Sequence, residues 1–279
     1  MLYAKKDKRG LFLTYSLLII GSIIVLIPFY WMLSSSLKDP RYIFITPPQW
    51  FPDPVVFKNY SEALTMMPFG RYLLNTCIIT FGSLIGQVLS SSIIAYGFAR
   101  IRFPYKDLLF IILLSTLMLP MQVTLIPTFK IYSMLGWYNT FLPLIVPSFI
   151  GGSPFYIFLL RQYYTTIPYE MDEAAKIDGA STWTIYWRVI LPQAKPALAT
   201  VAVFSFMGGW NDFFGPLIYL GDANMRTLAL ALFAFQGEHS TDWHLLMAAA
   251  TVIMIPLLVL FFTAQKYFIQ GIVVSGVKG

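Results

Sequence analysis

Residues 167–196, IPYEMDEAAKIDGASTWTIYWRVILPQAKP, connect two long apolar runs and are themselves patterned for helix. Pro168 suits a helix start, and three carboxylates crowd the following turn, where the helix dipole favours negative charge. Gly179 readily takes the left-handed conformation in which helices end. We therefore predict a first helix of about nine residues, which is too short to be stable alone in water and must pack against something.

A second helix is predicted to follow directly. Ser181 or Thr182 can cap its first turn, and Pro192 is expected to close it. Its large apolar residues recur at helical spacing and form a stripe that suits the membrane interface. These residues are Trp183, Tyr186, Trp187 and Ile190. The pair is either a docking helix held at the membrane surface by an interfacial helix, or a hairpin that only tethers two spans; the pattern leaves both open.

Long runs that are almost free of charge lie on both sides of this stretch. Of 279 residues, 57% are hydrophobic and 11% are charged, against about 25% charged in soluble domains, so lipid must cover much of the surface. A span needs roughly 20 apolar residues, and barrel strands are shorter and alternate in polarity. Six runs qualify: 11–37, 72–99, 108–129, 131–160, 196–220 and 245–265. We predict an all-α membrane protein with six transmembrane helices.

The distribution of positive charge predicts the orientation. With the N-terminus in the cytoplasm, thirteen of the nineteen Lys and Arg residues fall on cytoplasmic segments and six on outer segments, as the positive-inside rule requires. The C-terminus is then cytoplasmic too. Topology accounts for the net charge of +6, so no nucleic-acid partner is expected. The basic start and first run resemble a signal peptide, but the run is too long, and we expect a retained span.

Small residues and prolines inside the runs predict how the helices pack and bend. Gly82, Gly86 and Ser90 recur at every fourth position of the second run, and such stripes let helices approach closely. Prolines predict kinks. Those within the runs are Pro28, Pro120, Pro127, Pro143, Pro147 and Pro256.

The spacing within residues 167–196 resembles the EAA loop of ABC importer permeases. The matching residues are Glu173, Ala174, Ala175, Gly179, Leu191 and Pro192. The chain departs from the family pattern at Val189, where Ile is usual. The tail 271–279 resembles that of the smaller permease subunit of maltose-type importers, and the segments 210–213 and 227–229 resemble sugar-importer permeases. The resemblance implies a type I ABC importer transmembrane domain of the carbohydrate-uptake class.

The resemblance also implies how the loop works. In the family it forms a coupling helix that inserts into a cleft of an ATP-binding subunit, whose ATP-driven closure moves the spans. The implied coupling positions are Glu173, Ala174, Ala175, Asp178, Gly179 and Pro192. Gly276 and Lys278 of the tail would reach the ATPase dimer.

The resemblance implies a set of partners as well. They are a second homologous permease subunit in a heterodimer, two ATP-binding subunits and an extracytoplasmic solute-binding protein, besides membrane lipid. ATP and Mg would be bound by the partner subunits, and no cofactor is expected in this chain. We expect a transport subunit rather than an enzyme, located in a bacterial or archaeal cytoplasmic membrane.

Three parts are predicted along the chain. Residues 1–71 hold a cytoplasmic stub, the first span and a Pro-rich extracytoplasmic loop. Residues 72–270 form the permease core with its cytoplasmic loop 161–196, and 271–279 form the tail. By resemblance, Gln236, Gly237 and Glu238 in an outer loop are candidates for contact with the binding protein; the alternative is a solvated connector.

Asp212 is the notable ionisable residue inside a run. Charged side chains in lipid are costly and usually face a cavity. With Trp210 and Asn211 it is a candidate lining of the substrate path, where sugar hydroxyls would bond to Asn or Asp and sugar rings would lie on aromatics. The alternative is a residue that sits at the interface or helps helices to pack.

Other functions find little support in the sequence. The Gly-Lys of a Walker A loop and the G-x-S-x-G elbow of hydrolases are both absent, and two His with one Cys cannot build a usual zinc site. A scaffold would not need the coupling loop. We predict uptake of a mono- or oligosaccharide. The alternatives are a non-sugar solute such as a polyol or glycerol phosphate and, more distantly, an ion-coupled secondary transporter, which would need midplane ionisable groups.

Overall fold

A computed structural model describes residues 8–236 and 241–276, with side chains at 10–233, 235–236 and 241–265. Within these residues the chain is helical, apart from turns, irregular connections and an isolated antiparallel bridge between Gln236 and Thr241. The α-helices are α1 (Lys8–Ser36), α2 (Lys58–Thr65), α3 (Phe69–Arg100), α4 (Lys106–Ser115), α5 (Met121–Met134), α6 (Leu142–Ile145), α7 (Pro147–Ile150), α8 (Pro154–Thr166), α9 (Glu170–Ile177), α10 (Thr182–Ile185), α11 (Leu191–Gln193), α12 (Lys195–Trp210), α13 (Phe214–Tyr219), α14 (Leu228–Ala231) and α15 (Trp243–Gly276). Shorter 3₁₀ turns occupy Pro40–Tyr42, Thr116–Met118, Ala223–Met225 and Leu232–Phe235, and a π-helical turn occupies Tyr186–Ile190.

Several of these helices have the length and composition of membrane spans. Four stretches qualify on their own: Gly10–Ser36, Phe69–Arg100, Leu142–Thr166 and Trp243–Gln265. Two more would form if bent pairs each count as one span, α4 with α5 at 99° and the helix ending at Gln193 with α12 at 79°. The predicted all-helical, apolar architecture is confirmed. Six as the number of spans, and the cytoplasmic position of both termini, stay predictions.

The helix boundaries differ from the apolar runs where proline and glycine intervene. Leu119 is extended (φ −78°, ψ 115°) because Pro120 follows it, so the third predicted run breaks before α5. Helix α5 then continues through the predicted boundary at Lys130. Left-handed backbone at Gly136 (φ 72°) and Asn139 (φ 58°) marks the turn that follows.

Residues 1–67 and 232–255, as far as they are described, form one compact unit, here the N-terminal unit. Its Pro-rich segment after α1 contains two cis peptide bonds, Thr46–Pro47 and Asp53–Pro54. The side-chain amide of Asn59 donates to the carbonyl groups of Ser36 (3.0 Å) and Lys38 (2.8 Å). These bonds tie the end of the Pro-rich segment to the end of α1.

The Pro-rich segment is less uniform than predicted. Its first part is irregular, as expected, but α2 forms beyond the last closely spaced proline, Pro54, where every residue can donate to a helical hydrogen bond. Lys58 and Glu62 pair along α2 at 2.6 Å, and the hydrogen bond from Lys58 lowers the pKa of the Glu62 carboxyl.

Residues 68–231 and 256–276 form the second compact unit, here the central unit. Helix α3 lies at its middle and packs against α6, α7, α8, α12 and α14. The small-residue stripe predicted on α3 is a packing surface. Ser90 Oγ donates to the carbonyl of Ser148 (2.6 Å), and a Cβ at Gly86 would lie 2.1 Å from Ser148 Oγ. The stripe therefore lets α7 lie directly on α3.

Candidate functional site

Helix α9 forms and ends as its sequence predicts. It begins at Glu170, two residues after Pro168, and its first turn carries three acidic residues. At its end the N–H of Gly179 donates to the carbonyl of Lys176 (3.0 Å), and the N–H of Ala180 donates to the carbonyl of Ala175 (2.9 Å). This pair of bonds is a Schellman motif, which needs the left-handed φ of 76° at Gly179.

The two sides of α9 have different surroundings. Met171 and Ala175 pack against the core of the central unit, and Asp172 is buried. The opposite side is exposed and consists of Glu173, Ala174, Lys176, Ile177, Asp178 and Gly179. Of the predicted coupling residues, Ala175 therefore supports the helix from within, while Glu173, Ala174, Asp178 and Gly179 lie on one open surface, here called the α9 tip surface.

Ile177 is the most conspicuous member of the α9 tip surface, and the sequence analysis did not identify it. Its side chain is 87% exposed on a helix of the predicted cytoplasmic loop, so burial of this side chain by a docked partner would be favourable. The signal was available. Ile177 lies two residues, about 200° around the helix, from the inward-facing Ala175, and two residues before the glycine that ends the helix.

A buried hydroxyl cluster holds the second helix of the loop in place. Ser92 Oγ of α3 lies 2.7 Å from the hydroxyl of Tyr164 in α8 and 2.7 Å from that of Tyr186. Tyr96 of α3 adds a hydrogen bond from its hydroxyl to the carbonyl of Thr182 (3.3 Å). The loop is thus bonded to α3, and Ser92 links the same cluster to α8.

The predicted aromatic stripe divides between two environments. Tyr186 and Ile190 are buried, whereas Trp183 and Trp187 are exposed. The exposed pair retains the composition that the membrane interface favours. The buried pair instead packs the second helix onto the central unit, so this helix is a support as well as a surface element.

The structure shows which residue caps the second helix of the loop and where that helix ends. Of the two predicted caps, Ser181 serves, because its Oγ accepts from the N–H of Thr184 (3.2 Å). The N–H of Leu191 donates five residues back, to the carbonyl of Tyr186, in a π-helical turn. Pro192 was predicted to close the helix, but the helix continues to Gln193; the widened turn accommodates a residue that lacks an N–H.

Arg100 is a second residue that the sequence analysis missed as part of the site. It counted there only toward the positive charge of the cytoplasmic side. In the structure it is the last residue of α3, and its buried guanidinium faces Asp172 of α9. No sequence pattern predicts this pairing, since the two residues are distant along the chain.

The candidate path residues do not form part of a continuous helix. Helix α12 ends at Trp210, which is buried and stacked on Phe206 with a centroid distance of 5.3 Å. Asn211 is exposed, and its side-chain amide donates to the carbonyl of Met207 (2.9 Å). The predicted span over residues 196–220 is therefore interrupted after Trp210.

Asp212 occupies the break between α12 and α13. Its Oδ1 accepts from the N–H of Gly215 at 3.0 Å, so its carboxylate holds the start of the next helix. Pro216 explains the break, because a proline cannot donate to the carbonyl four residues earlier and clashes with it. This contact gives Asp212 a local role; whether it also lines a substrate path stays a prediction.

The remaining candidate residues are only partly described. Gln236 is exposed at one end of its loop and its backbone bridges to Thr241. Gly237, Glu238 and Lys278 lie outside the described residues. Gly276 is the last described residue of α15. Across the residues that the structure describes, no group of three His, Cys, Asp or Glu side chains could hold a metal ion.

Comparison with known proteins identifies the kind of protein that shares this architecture. A family model described as "Binding-protein-dependent transport system inner membrane component" matches residues 87–274. The diacetylchitobiose uptake system permease protein NgcG of Streptomyces coelicolor is 34% identical, covering 94% of this chain and 87% of that protein. The sn-glycerol-3-phosphate transport system permease protein UgpE of Yersinia pestis is 32% identical, covering 97% and 99% respectively.

A solved structure shares the fold over nearly the whole chain. It is the crystal structure of a bacterial ABC transporter involved in the import of the acidic polysaccharide alginate, with a TM-score of 0.82. The match covers 96% of this chain and 99% of that chain at 23% identity. This chain therefore shares the fold of the matched chain of that transporter.

Proposed function

The chain belongs to the family of binding-protein-dependent transport system inner membrane components and is a permease subunit of an ABC importer, and from this premise we propose that it carries a sugar across the cytoplasmic membrane of a bacterium or archaeon. ATP-binding subunits would drive it by docking on the α9 tip surface. The chain itself is a transport component of a multi-pass membrane protein family, rather than an enzyme.

The exposure of Ile177 beside Ala174 carries the docking proposal. An aliphatic side chain that is 87% exposed suits a partner's apolar pocket, and the small side chain of Ala174 leaves room for the partner to approach. The helix behind this surface is held by buried contacts through Met171 and Ala175. A displacement of the α9 tip surface would therefore be transmitted to the core of the central unit.

The proposed assembly contains four kinds of component. Two ATP-binding subunits would bind ATP and Mg, and a second, homologous permease subunit would complete the pathway. An extracytoplasmic solute-binding protein would deliver the substrate, in keeping with the description of the family as binding-protein-dependent. Gln236 and its loop are our candidates for contact with that protein.

A sugar is the substrate class that we favour. One of the relatives takes part in diacetylchitobiose uptake, and the candidate path residues Trp210, Asn211 and Asp212 include no Lys or Arg. A neutral hydroxylated solute needs hydrogen-bond donors and acceptors but no fixed cation, whereas phosphate recognition usually relies on Arg or Lys.

Glycerol phosphate is the second candidate substrate, because a relative with that transport function matches this chain over nearly its full length. Uptake assays separate the two. Vesicles containing this permease and its own partner subunits should accumulate a labelled neutral oligosaccharide in an ATP-dependent, vanadate-sensitive manner. Accumulation of glycerol 3-phosphate alone would replace the sugar by the second candidate, and uptake driven by an ion gradient without ATP would refute both.

Docking can be tested with two substitutions on the α9 tip surface. Ile177→Asp and Glu173→Lys should leave the permease in the membrane but reduce the ATP-binding subunit that co-purifies with it. Tyr105→Asp is the matched control, because Tyr105 is also highly exposed and lies in the predicted cytoplasmic turn before α4. Wild-type co-purification in both α9 variants would refute docking at this surface.

A further inference from the structure

A buried ion pair joins the beginning of α9 to the end of α3. Arg100 is the last residue of α3, and Asp172 lies in the first turn of α9. Their side chains are 1% and 7% exposed, and Nη1 of Arg100 lies 3.8 Å from Oδ1 of Asp172. Both charges are therefore withdrawn from solvent at the place where the loop meets the long helices.

The same guanidinium also holds the end of α8. Its Nη2 donates to the carbonyl groups of Tyr164 (2.7 Å) and Ile167 (2.5 Å). The ring of Tyr169, directly before α9, lies 4.3 Å from the Arg100 guanidinium carbon, and its hydroxyl donates to the carbonyl of Ala99 (3.0 Å). The Arg100 guanidinium, at the end of α3, thus contacts both the end of α8 and the start of α9.

Fold stability alone is a weak explanation for such a pair. Burying two charges costs several kcal/mol per ion before their attraction is counted, and apolar side chains of similar size often stabilise a protein as well or better. Among the described atoms, Nε and Nη1 of Arg100 and Oδ1 of Asp172 make no hydrogen bond. At 3.8 Å the two charged atoms are farther apart than in a hydrogen-bonded ion pair. Buried polar atoms that make no hydrogen bond call for an explanation.

We propose that Arg100 is a positioning residue that locks α9 to α3 and α8, so that displacement of α9 by a docked subunit moves both helices. This inference rests on the proposed docking of an ATP-binding subunit on α9. The apolar contacts of Met171 and Ala175 hold α9 as well, but hydrophobic contacts are non-directional and allow sliding. The two carbonyl bonds are directional and fix the guanidinium against the end of α8. The buried ion contact then ties Asp172, in the first turn of α9, to that fixed charge.

The variants for the test differ in charge and reach at one position. Asp172→Asn removes the charge with little change of shape, and Asp172→Glu keeps the charge on a longer side chain that can span the 3.8 Å gap. Arg100→Lys keeps the positive charge but loses the planar fork, in which Nη2 bonds two carbonyls while Nη1 faces Asp172. Glu170→Gln is the matched control, because Glu170 is an exposed carboxylate in the same first turn.

The assay measures docking and coupling separately in the assembled importer. Each variant is co-purified with its ATP-binding subunit, reconstituted in vesicles, and assayed for sugar transported per ATP hydrolysed. We expect Asp172→Asn and Arg100→Lys to dock normally and to hydrolyse ATP, with transport per ATP lowered by about fivefold or more, the lower end of the usual range for coupling between sites. Asp172→Glu and Glu170→Gln should keep the ratio near that of the unaltered protein.

Each other outcome overturns the inference in a recognisable way. An unchanged ratio in Asp172→Asn and Arg100→Lys means that the pair does not transmit movement, although docking on α9 would stand. Loss of docking in these variants means that the pair only shapes the surface of α9. If neither variant accumulates in the membrane while Glu170→Gln does, the pair is required for folding, and the positioning role falls. Failure of Ile177→Asp to affect docking would instead refute the proposed function.

Discussion

The replacement of Gly86 by Ala tests whether α3 is packed as tightly as the structure indicates. A Cβ at Gly86 would lie 2.1 Å from Ser148 Oγ and 2.7 Å from Cδ2 of Phe149, so α7 must shift. Crowding a packed interior typically costs about 1–3 kcal/mol, while Ala in place of Gly within a helix gains about 1 kcal/mol. The net expectation is a loss of about 0–2 kcal/mol in the free energy of unfolding.

Gly97 provides the matched control on the same helix. A Cβ there would meet nothing within 4 Å, so Gly97→Ala should give only the gain in helix propensity, up to about 1 kcal/mol. The two variants should therefore differ by about 1–3 kcal/mol, with Gly86→Ala the less stable. Adding Ser148→Ala to Gly86→Ala removes the closest colliding atom and should restore part of the loss.

The measurement is unfolding of the purified permease in detergent micelles by titration with sodium dodecyl sulfate, followed by tryptophan fluorescence. Equal unfolding free energies for Gly86→Ala and Gly97→Ala would refute the close approach of α3 and α7. A double variant no more stable than Gly86→Ala would show that Ser148 is not the colliding group.

Three further changes test other parts of the molecule. Ser92→Ala leaves the buried hydroxyl groups of Tyr164 and Tyr186 without their shared partner and should lower the free energy of unfolding by about 1–3 kcal/mol; unfolding at the unaltered concentration of denaturant would contradict this. Gly179→Val forces a branched residue into left-handed backbone and should reduce the amount of co-purified ATP-binding subunit, whereas Gly179→Asn should retain it. Equal amounts of ATP-binding subunit from the two variants would contradict the need for left-handed backbone at the end of α9. Deletion of residues 236–240 should lower uptake, and normal uptake would exclude their contact with the binding protein.

What the sequence could predict was mostly local. Helix α9 and its end follow from Pro168, the acidic first turn and Gly179, because all three act within one or two turns of the chain. The cap was restricted to Ser181 or Thr182 for the same local reason, and the structure selects Ser181. The tight contact beneath Gly86 was also foreseen, since small residues at every fourth position have few other uses in an apolar helix.

What the sequence could not predict depends on partners distant along the chain. Periodicity shows that α9 has an apolar side, but only packing decides that Ala175 faces inward while Ile177 faces outward. In the sequence, Arg100 contributed only to the positive charge from which the orientation is predicted. No residue near Arg100 in the sequence indicates that Asp172 is its partner. The break at Asp212 was missed because residues 196–220 were taken as one span despite Asn211 and Asp212, and the effect of Pro216 was overlooked.

The central claim is that the α9 tip surface is where a nucleotide-binding subunit grips this permease. Ala174→Cys in a Cys77→Ser background removes the native free thiol and places a single reactive thiol on that surface. In the assembled importer this thiol should be protected from a water-soluble maleimide and should cross-link to the ATP-binding subunit, while Tyr105→Cys stays reactive. If Ala174→Cys is labelled equally fast with and without the ATP-binding subunits, and yields no cross-link, the surface is not gripped and the account is wrong.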